Sequence, residues 1–315
     1  MDILFAAAEN AWGGFLAMVR ARLPHHRFVA TGGFAIDSLK GFHVLIPTMC
    51  QVTEEILSTS DRLKLIQQCG AGLEGVDLDA AARRRVWVAN VPTATSGNAD
   101  SVAELGIFLT IGLLRNWREM AGSFEHGRMG QPQGLALQGR TVGLIGLGGI
   151  GQAMIRRLKP FGVRLLGVRQ QVTPGMDEAL GLDWIGTRSD LPFLLRESDV
   201  VMLCLPVTPD SRNLMNRERF AMMKPGSLIV NLSRGGLVER MALHDALASG
   251  TIAGAGLDVF WQEPPDPRDP IFSFNVLATP HIAGSTDVSM QGIVAGVAEN
   301  IQRLERGLSP LNRHD

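Results

Sequence analysis

Residues 141–169 hold the feature that most restricts how this chain can fold, a glycine-rich turn between two strand-like segments. Residues 141–145 form an aliphatic and β-branched run, which is typical of a buried parallel strand. The sequence GLGGIG at 146–151 then fits the pattern G-x-G-x-x-G. Residues 152–159 have helical spacing and 163–168 predict a second strand. The glycines therefore lie in a β-α-β unit, the context that a dinucleotide-binding turn requires.

Each glycine of this turn has a separate physical reason. Gly146 permits a tight turn out of the strand, and Gly148 lets a pyrophosphate approach the backbone. Gly151 lets the helix pack closely on the strand, and the free N–H groups at the helix start attract phosphate. The chain has 36 glycines, so the pattern alone is weak evidence, and the assignment depends on the flanking strands and helix. The predicted contacts to the cofactor are Gly146, Gly148, Gly149, Ile150 and Gly151.

The end of the second predicted strand bears on the choice of dinucleotide. In this fold an Asp or Glu about 20 residues beyond the glycines binds the ribose 2′-hydroxyl. Arg169 holds that place here, and no carboxylate follows until Asp177. A guanidinium attracts a 2′-phosphate and stacks on adenine, so the residue favours NADP(H) over NAD(H). The alternative is a solvated Arg169 in an enzyme that uses NAD, since the register could shift by one residue.

The amino-acid composition is typical of a globular protein. With 315 residues, 45% of them hydrophobic and 19% charged, it is long enough for two domains with cores. A net charge of -1 indicates neither nucleic acid nor a membrane surface as partner. The N-terminus does not resemble a signal peptide, and no apolar run is long enough for a transmembrane helix. Cys50, Cys69 and Cys204 lack C-x-x-C spacing, which favours a reducing, cytoplasmic location and no metal site.

The remaining segments predict more parallel sheet. Residues 1–97 alternate between strand and helix patterns, as in a sheet covered by helices, without a phosphate-binding turn. Residues 101–120 predict one long apolar helix that leads to a second domain. Strand patterns between 199 and 279 complete a six- or seven-stranded sheet there. The fold class is therefore α/β, with two Rossmann-like, doubly wound parallel-sheet domains.

Two places in the first domain have residues that could contact a substrate. Gly70, Ala71 and Gly72 follow a predicted strand, where their backbone N–H groups could bind a carboxylate; the alternative is a plain strand-to-helix turn. Asn98 precedes the long apolar helix. It is suited either to capping that helix or to donating a hydrogen bond to a substrate.

Five motifs in a fixed order carry a resemblance to a known family. They are the glycine turn, CLPVTPDSRNLMN at 204–216, NLSRGGLVE at 231–239, LDVFWQEPP at 257–265 and TPHIAGST at 279–286. Together they resemble the D-isomer-specific 2-hydroxyacid dehydrogenases, which include phosphoglycerate dehydrogenase, glyoxylate/hydroxypyruvate reductase, D-lactate dehydrogenase and formate dehydrogenase. The resemblance extends from about residue 63 to residue 300. It implies a flavodoxin-like substrate domain (1–98 plus 288–315), a Rossmann dinucleotide-binding domain (99–287) and an active site in the cleft between them.

The resemblance implies that Arg234, Glu263 and His281 are catalytic. Hydride transfer to a ketone carbon needs a proton delivered to its oxygen, and histidine is the side chain best suited to this near neutral pH. A carboxylate such as Glu263 would hold the imidazole in one tautomer. The guanidinium of Arg234 would clamp the substrate carboxylate and polarise its carbonyl.

The resemblance implies further contacts. The substrate would be held by Ala71, Gly72 and Asn98 together with Arg234 and His281. Besides the glycine turn and Arg169, the cofactor would be contacted by Pro206 and Thr208 on the adenosine side and by Asp258 and Gly284 near the nicotinamide. A homodimer is also expected, with the helix at 101–120 as its interface.

Departures from the family pattern limit the substrates that we expect. Glu263 stands where formate dehydrogenases have Gln. Leu105 stands where many members have His, and in this respect the chain resembles the glyoxylate-reductase-like members. No Arg or Lys lies near residues 70–72 to bind a substrate phosphate. We therefore expect NADP(H)-dependent reduction of a small 2-keto acid such as glyoxylate or hydroxypyruvate.

Two alternatives remain for the function. One is an NAD-dependent D-3-phosphoglycerate dehydrogenase or another D-2-hydroxyacid dehydrogenase; no regulatory domain follows residue 315, which argues against the long, serine-regulated type. The other is a non-catalytic nucleotide-sensing regulator, because corepressors of this fold share these residues. Such regulators have long disordered tails, which this sequence lacks.

Overall fold

A computed structural model describes residues 1–314. The chain divides into two compact units, which are treated separately below. The first contains Met1–Asn98 and the segment that starts at Ser285, and the second contains Ala99–Gly284. The family resemblance implied that the chain returns to the first domain at residue 288, three residues after Ser285.

The twelve strands found among residues 1–314 all lie in parallel sheets. The first unit contains β1 (Asp2–Phe5), β2 (Arg27–Ala30), β3 (Val44–Ile46), β4 (Leu65–Gln67) and β5 (Trp87–Ala89). The second contains β6 (Thr141–Ile145), β7 (Arg164–Val168), β8 (Trp184–Gly186), β9 (Val200–Leu203), β10 (Ser227–Asn231), β11 (Ile252–Leu257) and β12 (Val276–Ala278).

The α-helices lie between these strands and after the last one. They are α1 (Ala11–Arg22), α2 (Glu54–Ser58), α3 (Leu78–Arg83), α4 (Asn98–Leu114), α5 (Trp117–Glu125), α6 (Gly149–Leu158), α7 (Met176–Leu180), α8 (Leu191–Glu197), α9 (Arg217–Met222), α10 (Arg240–Ala248) and α11 (Asp287–Glu305). Among the described residues, no helix is long and apolar enough to cross a membrane.

The sheet of the first unit has the order β2-β1-β3-β4-β5, which is the flavodoxin-like arrangement. Its short inner strands β3 and β4 are buried along their whole length, because helices cover both faces. One apolar cluster includes side chains of β1, α1 and α11, and a second includes side chains of β3, α2 and α3. The carboxyl ends of the five strands therefore lie on one edge, with the loops that follow them.

The sheet of the second unit has the order β8-β7-β6-β9-β10-β11-β12, a Rossmann order extended by one strand. The connection reverses direction between β6 and β9, and a ligand of such a sheet binds beyond the carboxyl ends at that point. The glycine turn follows β6 at this position. The doubly wound α/β fold predicted from the sequence is confirmed, and the second sheet has seven strands.

One helix prediction was wrong in detail, and another helix has an irregular start. The single helix expected at 101–120 is two helices, because Asn116 adopts φ 50° between α4 and α5 and asparagine tolerates that conformation. The first helix also begins irregularly, because Trp12, Gly13 and Gly14 are all left-handed, with φ 55°, 63° and 84°. The α-helical backbone of α1 therefore starts only at Phe15.

Candidate active site

Three neighbouring strand ends in the second unit carry the predicted catalytic residues. Strands β10, β11 and β12 are adjacent, with Asn231 paired to Leu257 and Leu257 paired to Ala278. Arg234 follows β10 by three residues, and His281 follows β12 by three. Because parallel strands end at the same edge, the loops that hold Arg234, Glu263 and His281 meet there.

Glu263 and His281 form a direct pair. The Nδ1 atom of His281 lies 2.7 Å from Oε2 of Glu263. The other carboxylate oxygen, Oε1, accepts a hydrogen bond of 3.0 Å from the backbone N–H of Phe260. The carboxylate is thus fixed at both oxygens, and Nε2 of the imidazole is left to face a reactant. The side chain of His281 is 39% exposed and that of Glu263 is 20% exposed, so the imidazole is the accessible member.

The charge state of Glu263 follows from these contacts. Burial by itself would raise the pKa of the Glu263 carboxyl. The hydrogen bond and charge of His281, the Phe260 N–H and the charge of Arg234 outweigh burial and bring this pKa below its usual value. Glu263 is therefore a carboxylate near neutral pH, as a partner that orients a proton-donating imidazole must be.

Asp258 holds the loop that carries His281. Its carboxylate accepts hydrogen bonds from the Thr279 hydroxyl at 2.7 Å and from the N–H groups of Ile282 and Ala283, each at 2.9 Å. The residue is almost completely buried, and burial raises the pKa of its carboxyl although these hydrogen bonds oppose the shift. His281 has φ 54°, a conformation that non-glycine residues avoid unless neighbouring contacts impose it. The sequence suggested a cofactor contact for Asp258 and gave no sign of this supporting role.

The turn at Arg234 is packed against the loop of Glu263. A Cβ atom on Gly235 would lie 2.1 Å from the backbone carbon and oxygen of Phe260, so only glycine permits this approach. Nδ2 of Asn231 donates to the carbonyl of Arg234 at 2.8 Å, and Nη1 of Arg234 donates to the Ser233 carbonyl at 2.8 Å. Arg234 is half-buried, and its charge acts on Glu263.

The glycine turn has the space that a dinucleotide needs. Gly146 has φ 98°, and a Cβ on Gly151 would lie 2.2 Å from the carbonyl oxygen of Gly146, so helix and turn are in close contact. A Cβ on Gly148 would meet no protein atom within 4 Å. Gly148 is exposed at the start of α6, beside Gly149 and Ile150, and this open face suits a pyrophosphate at the helix N-terminus.

Arg169 lies beside this turn. Its predecessor Val168 accepts a hydrogen bond of 3.0 Å from the N–H of Gly146, and its own N–H donates to Gly186 at 3.1 Å. The guanidinium is half-buried, with Nη1 3.4 Å from the sulfur of Met176. The register assumed for Arg169, directly after the second strand, is therefore the one observed.

The other predicted cofactor residues lie on loops of the same unit. Pro206 and Thr208 follow β9, and Ser211 fixes their loop by donating to the Pro206 carbonyl at 2.8 Å and accepting from the Thr208 N–H at 2.7 Å. Gly284 directly follows Ala283 in the loop that Asp258 holds. Sequence reasoning missed Ser211, for which the only signal was a hydroxyl three residues after Thr208.

The predicted substrate residues Ala71, Gly72 and Asn98 lie in the first unit, apart in the chain from the catalytic three. Within residues 1–314, the N–H groups of Ala71 and Gly72 donate to no recorded acceptor. Asn98 is the first residue of α4, and its Nδ2 donates to Ser289 at 3.1 Å. Asn90, which the sequence analysis missed, donates from Nδ2 to the Ala71 carbonyl at 2.8 Å. A cleft shared with Arg234 and His281 stays a prediction.

The match to known proteins agrees with this geometry. A family model for the NAD binding domain of D-isomer specific 2-hydroxyacid dehydrogenases matches residues 107–283. The chain belongs to this family. A D-3-phosphoglycerate dehydrogenase of Methanocaldococcus jannaschii is 34% identical over 275 residues, which cover 86% of this chain and 51% of that protein. The chain thus spans about half the length of this relative.

Two reductases match over most of their own length. A glyoxylate reductase of Thermococcus litoralis is 32% identical over 290 residues, covering 89% of this chain and 86% of that protein. An NADPH-dependent glyoxylate/hydroxypyruvate reductase of Sinorhizobium meliloti, solved with NADP and malonate, superimposes with a TM-score of 0.85. It is 28% identical, and the alignment covers 99% of this chain and 96% of that one.

The lowered pKa of Glu263 predicts a pH-dependent contribution to stability. Its ordinary value is 4.5, and the folded state holds it lower, so the ionised carboxylate stabilises the fold above that pH. The contribution is lost as the pH falls through the folded-state pKa. The difference in unfolding free energy between wild type and Glu263→Gln should therefore shrink between about pH 5.5 and about pH 3. Urea unfolding at both pH values measures it, and a difference independent of pH would contradict the assignment.

Proposed function

We propose that this protein is an NADP(H)-preferring D-2-hydroxyacid dehydrogenase that works as a reductase of small 2-keto acids, with glyoxylate and hydroxypyruvate as the model substrates. The observation that carries the proposal is the Glu263–His281 pair of 2.7 Å beside Arg234. A carboxylate that orients an exposed imidazole next to a guanidinium is an arrangement for donating a proton to the oxygen of a bound keto acid.

Each residue has one task in this mechanism. The reduced nicotinamide, when bound, supplies the hydride that adds to the ketone carbon. His281 gives its Nε2 proton to the carbonyl oxygen, so that ketone, hydride and proton together form the hydroxy acid. Glu263 keeps the imidazole oriented. Arg234 binds the substrate carboxylate and polarises the carbonyl, together with the N–H groups of Ala71 and Gly72.

Arg169 supports a preference for NADP(H). It follows β7 directly, at the position where NAD enzymes of this fold have a carboxylate, and it lies next to the glycine turn. A guanidinium there attracts a 2′-phosphate, whereas a carboxylate would repel it. The relative from Sinorhizobium meliloti, described as NADPH-dependent, is consistent with this choice. NAD(H) is the alternative cofactor.

We also infer a homodimer formed through α4 and α5. Trp117, Met120 and Phe124 lie on one face of α5, and Phe124 is 87% exposed. The ring of Phe108 on α4 extends this face, 6.1 Å from the ring of Trp117. Monomers rarely expose so many large apolar side chains together, and a second copy can cover the patch symmetrically.

The free cysteines are relevant to the cellular compartment of the protein. Cys50, Cys69 and Cys204 form no disulfide, and burial raises the pKa of the Cys204 thiol to about 12. Unpaired, unreactive thiols suit a reducing compartment, which supports our proposal of a cytoplasmic enzyme.

The reaction is tested by following NADPH oxidation with glyoxylate, hydroxypyruvate and pyruvate. We expect turnover with wild type and a loss of about 100-fold or more in kcat for His281→Ala, because the proton donor is removed. Binding of NADPH, measured by fluorescence, should be unchanged in this variant. Near-normal turnover of His281→Ala would contradict the mechanism, and a wild type inactive on every 2-keto acid would favour the regulator.

The cofactor preference is tested by replacing Arg169. In Arg169→Ala the KM for NADPH should rise about ten-fold or more, because a charge-assisted bond to the 2′-phosphate is lost, while the KM for NADH should change little. Arg164→Ala is the matched control, since Arg164 lies at the opposite end of β7 and pairs with Glu197. Equal effects of Arg169→Ala on both cofactors would show that the guanidinium does not bind the phosphate.

The dimer is tested by light scattering after size exclusion. Wild type should have twice the chain mass of 34.0 kDa, and Phe124→Glu should shift it toward one chain mass, because a charge enters the apolar face. Leu308→Glu replaces an exposed apolar residue of the other unit and serves as control. A wild type of single chain mass would refute the dimer.

A further inference from the structure

Four loops at the carboxyl edge of the first unit's sheet are joined in a row by hydrogen bonds. The N–H of Gly32, after β2, donates to Ala7 at 3.2 Å. The hydroxyl of Thr48, after β3, donates to the carbonyl of Ala6, after β1, at 2.7 Å. Nε2 of Gln68, after β4, donates to the carbonyl of Thr48 at 3.0 Å. The loops after β2, β1, β3 and β4 therefore form one continuous surface with a fixed order.

One end of this surface has the chemistry of an anion site. The exposed Ala71 and the half-buried Gly72 follow β4, and within residues 1–314 no acceptor is recorded for their N–H groups. Such backbone N–H groups bind a carboxylate. In the proposed reaction this end holds the carboxylate of the keto acid.

Three large apolar side chains are exposed on the rest of the surface. Met49 after β3, Trp12 after β1 and Phe34 after β2 are 42%, 37% and 56% exposed. The rings of Trp12 and Phe34 lie 6.2 Å apart, so they form one aromatic pair. Neighbouring strands are about 4.8 Å apart, which puts Met49 next to the β4 loop and the aromatic pair about 10 Å or more from it.

The backbone at Trp12 indicates that its exposed position is imposed. A bulky residue with φ 55° is strained, and such strain persists only where the surrounding structure imposes it. The left-handed Gly13 and Gly14 that follow continue the turn. The indole is thereby held at the loop surface, although a tryptophan gains more by burial.

The edge has no cation that could bind a second anionic group. The loops at the five strand ends contain no Lys, Arg or His, and they carry the carboxylates of Glu9, Asp37, Glu74 and Asp77. Glu9 is paired with Arg20 of α1. A phosphate or second carboxylate on the substrate would therefore meet apolar side chains without charge compensation. The five loops comprise residues 6–12, 31–37, 47–53, 68–77 and 90–98.

We propose that Met49, Trp12 and Phe34 form a subsite for the side chain of the keto acid, which extends the substrates beyond glyoxylate to 2-keto acids with an aromatic or branched apolar side chain. The inference rests on the proposed reductase function. The carboxylate binds the Ala71 and Gly72 N–H groups, and the side chain runs along the edge toward β1 and β2. Substrates with a phosphate or second carboxylate are excluded.

The test compares kcat/KM for phenylpyruvate with kcat/KM for glyoxylate. In wild type the ratio should exceed one, because ring burial adds binding energy that glyoxylate cannot supply. In Trp12→Ala and Phe34→Ala the ratio should fall about ten-fold, mainly through the KM for phenylpyruvate. Phe161→Ala, at a 38% exposed phenylalanine of the other unit, is the control and should leave the ratio unchanged. Circular dichroism verifies that each variant is folded.

A charged variant tests the exclusion of anionic substrates. Met49→Arg places a cation next to the Ala71 loop, so kcat/KM for oxaloacetate should rise at least several-fold while that for phenylpyruvate falls. Met49→Arg also keeps the subsite testable if Trp12→Ala does not fold.

The outcomes separate the two proposals. A wild type inactive with every 2-keto acid and both cofactors would overturn the reductase and the subsite together. A wild type active on glyoxylate but poorer on phenylpyruvate would overturn the subsite alone. The subsite would also be overturned if the ratio of kcat/KM for phenylpyruvate to kcat/KM for glyoxylate were unchanged in both Trp12→Ala and Phe34→Ala. Efficient reduction of 3-phosphohydroxypyruvate would overturn it as well.

Discussion

The buried carboxylate of Asp258 is the contact on which the candidate site depends most. It lies at the end of β11 and accepts three hydrogen bonds from the loop that follows β12. Those bonds hold His281 in a backbone conformation that it would not adopt alone. The imidazole then meets Glu263, which comes from the β11 side. One strand end therefore supplies both the carboxylate that orients the ring and the carboxylate that fixes its loop.

The two units differ in the kinds of group at the carboxyl ends of their strands. In the second unit charged side chains converge at three adjacent strand ends, and one glycine, Gly235, lets two of the loops touch. In the first unit the corresponding edge has backbone N–H groups, small residues and exposed apolar side chains. Proton donation requires titratable groups, whereas selection of a substrate side chain requires shape and apolar surface. The residue types at the two edges are those that the proposed reaction requires of each.

The sequence was sufficient for what depends on local pattern. The glycine turn, the doubly wound fold and the pairing of Glu263 with His281 could all be predicted, because short motifs at strand ends specify them. The contacts of Asn90 and Ser211 could not, since each is made by an ordinary polar residue whose partner is known only once the loops are folded. The break at Asn116 was missed because the apolar period continues through it, while the backbone turns left-handed at one residue.

Asn90 has an effect on the loop that it supports. Its amide donates to the carbonyl of Ala71, and that carbonyl belongs to the same peptide group as the N–H of Gly72. In a planar trans peptide the two point in opposite directions, so a donor behind the loop fixes the N–H on the front. Hydrogen bonding at the oxygen also draws electron density from the nitrogen, which makes that N–H a stronger donor. A neutral side chain behind the loop thus strengthens the Gly72 N–H as a hydrogen-bond donor, with no positive charge added.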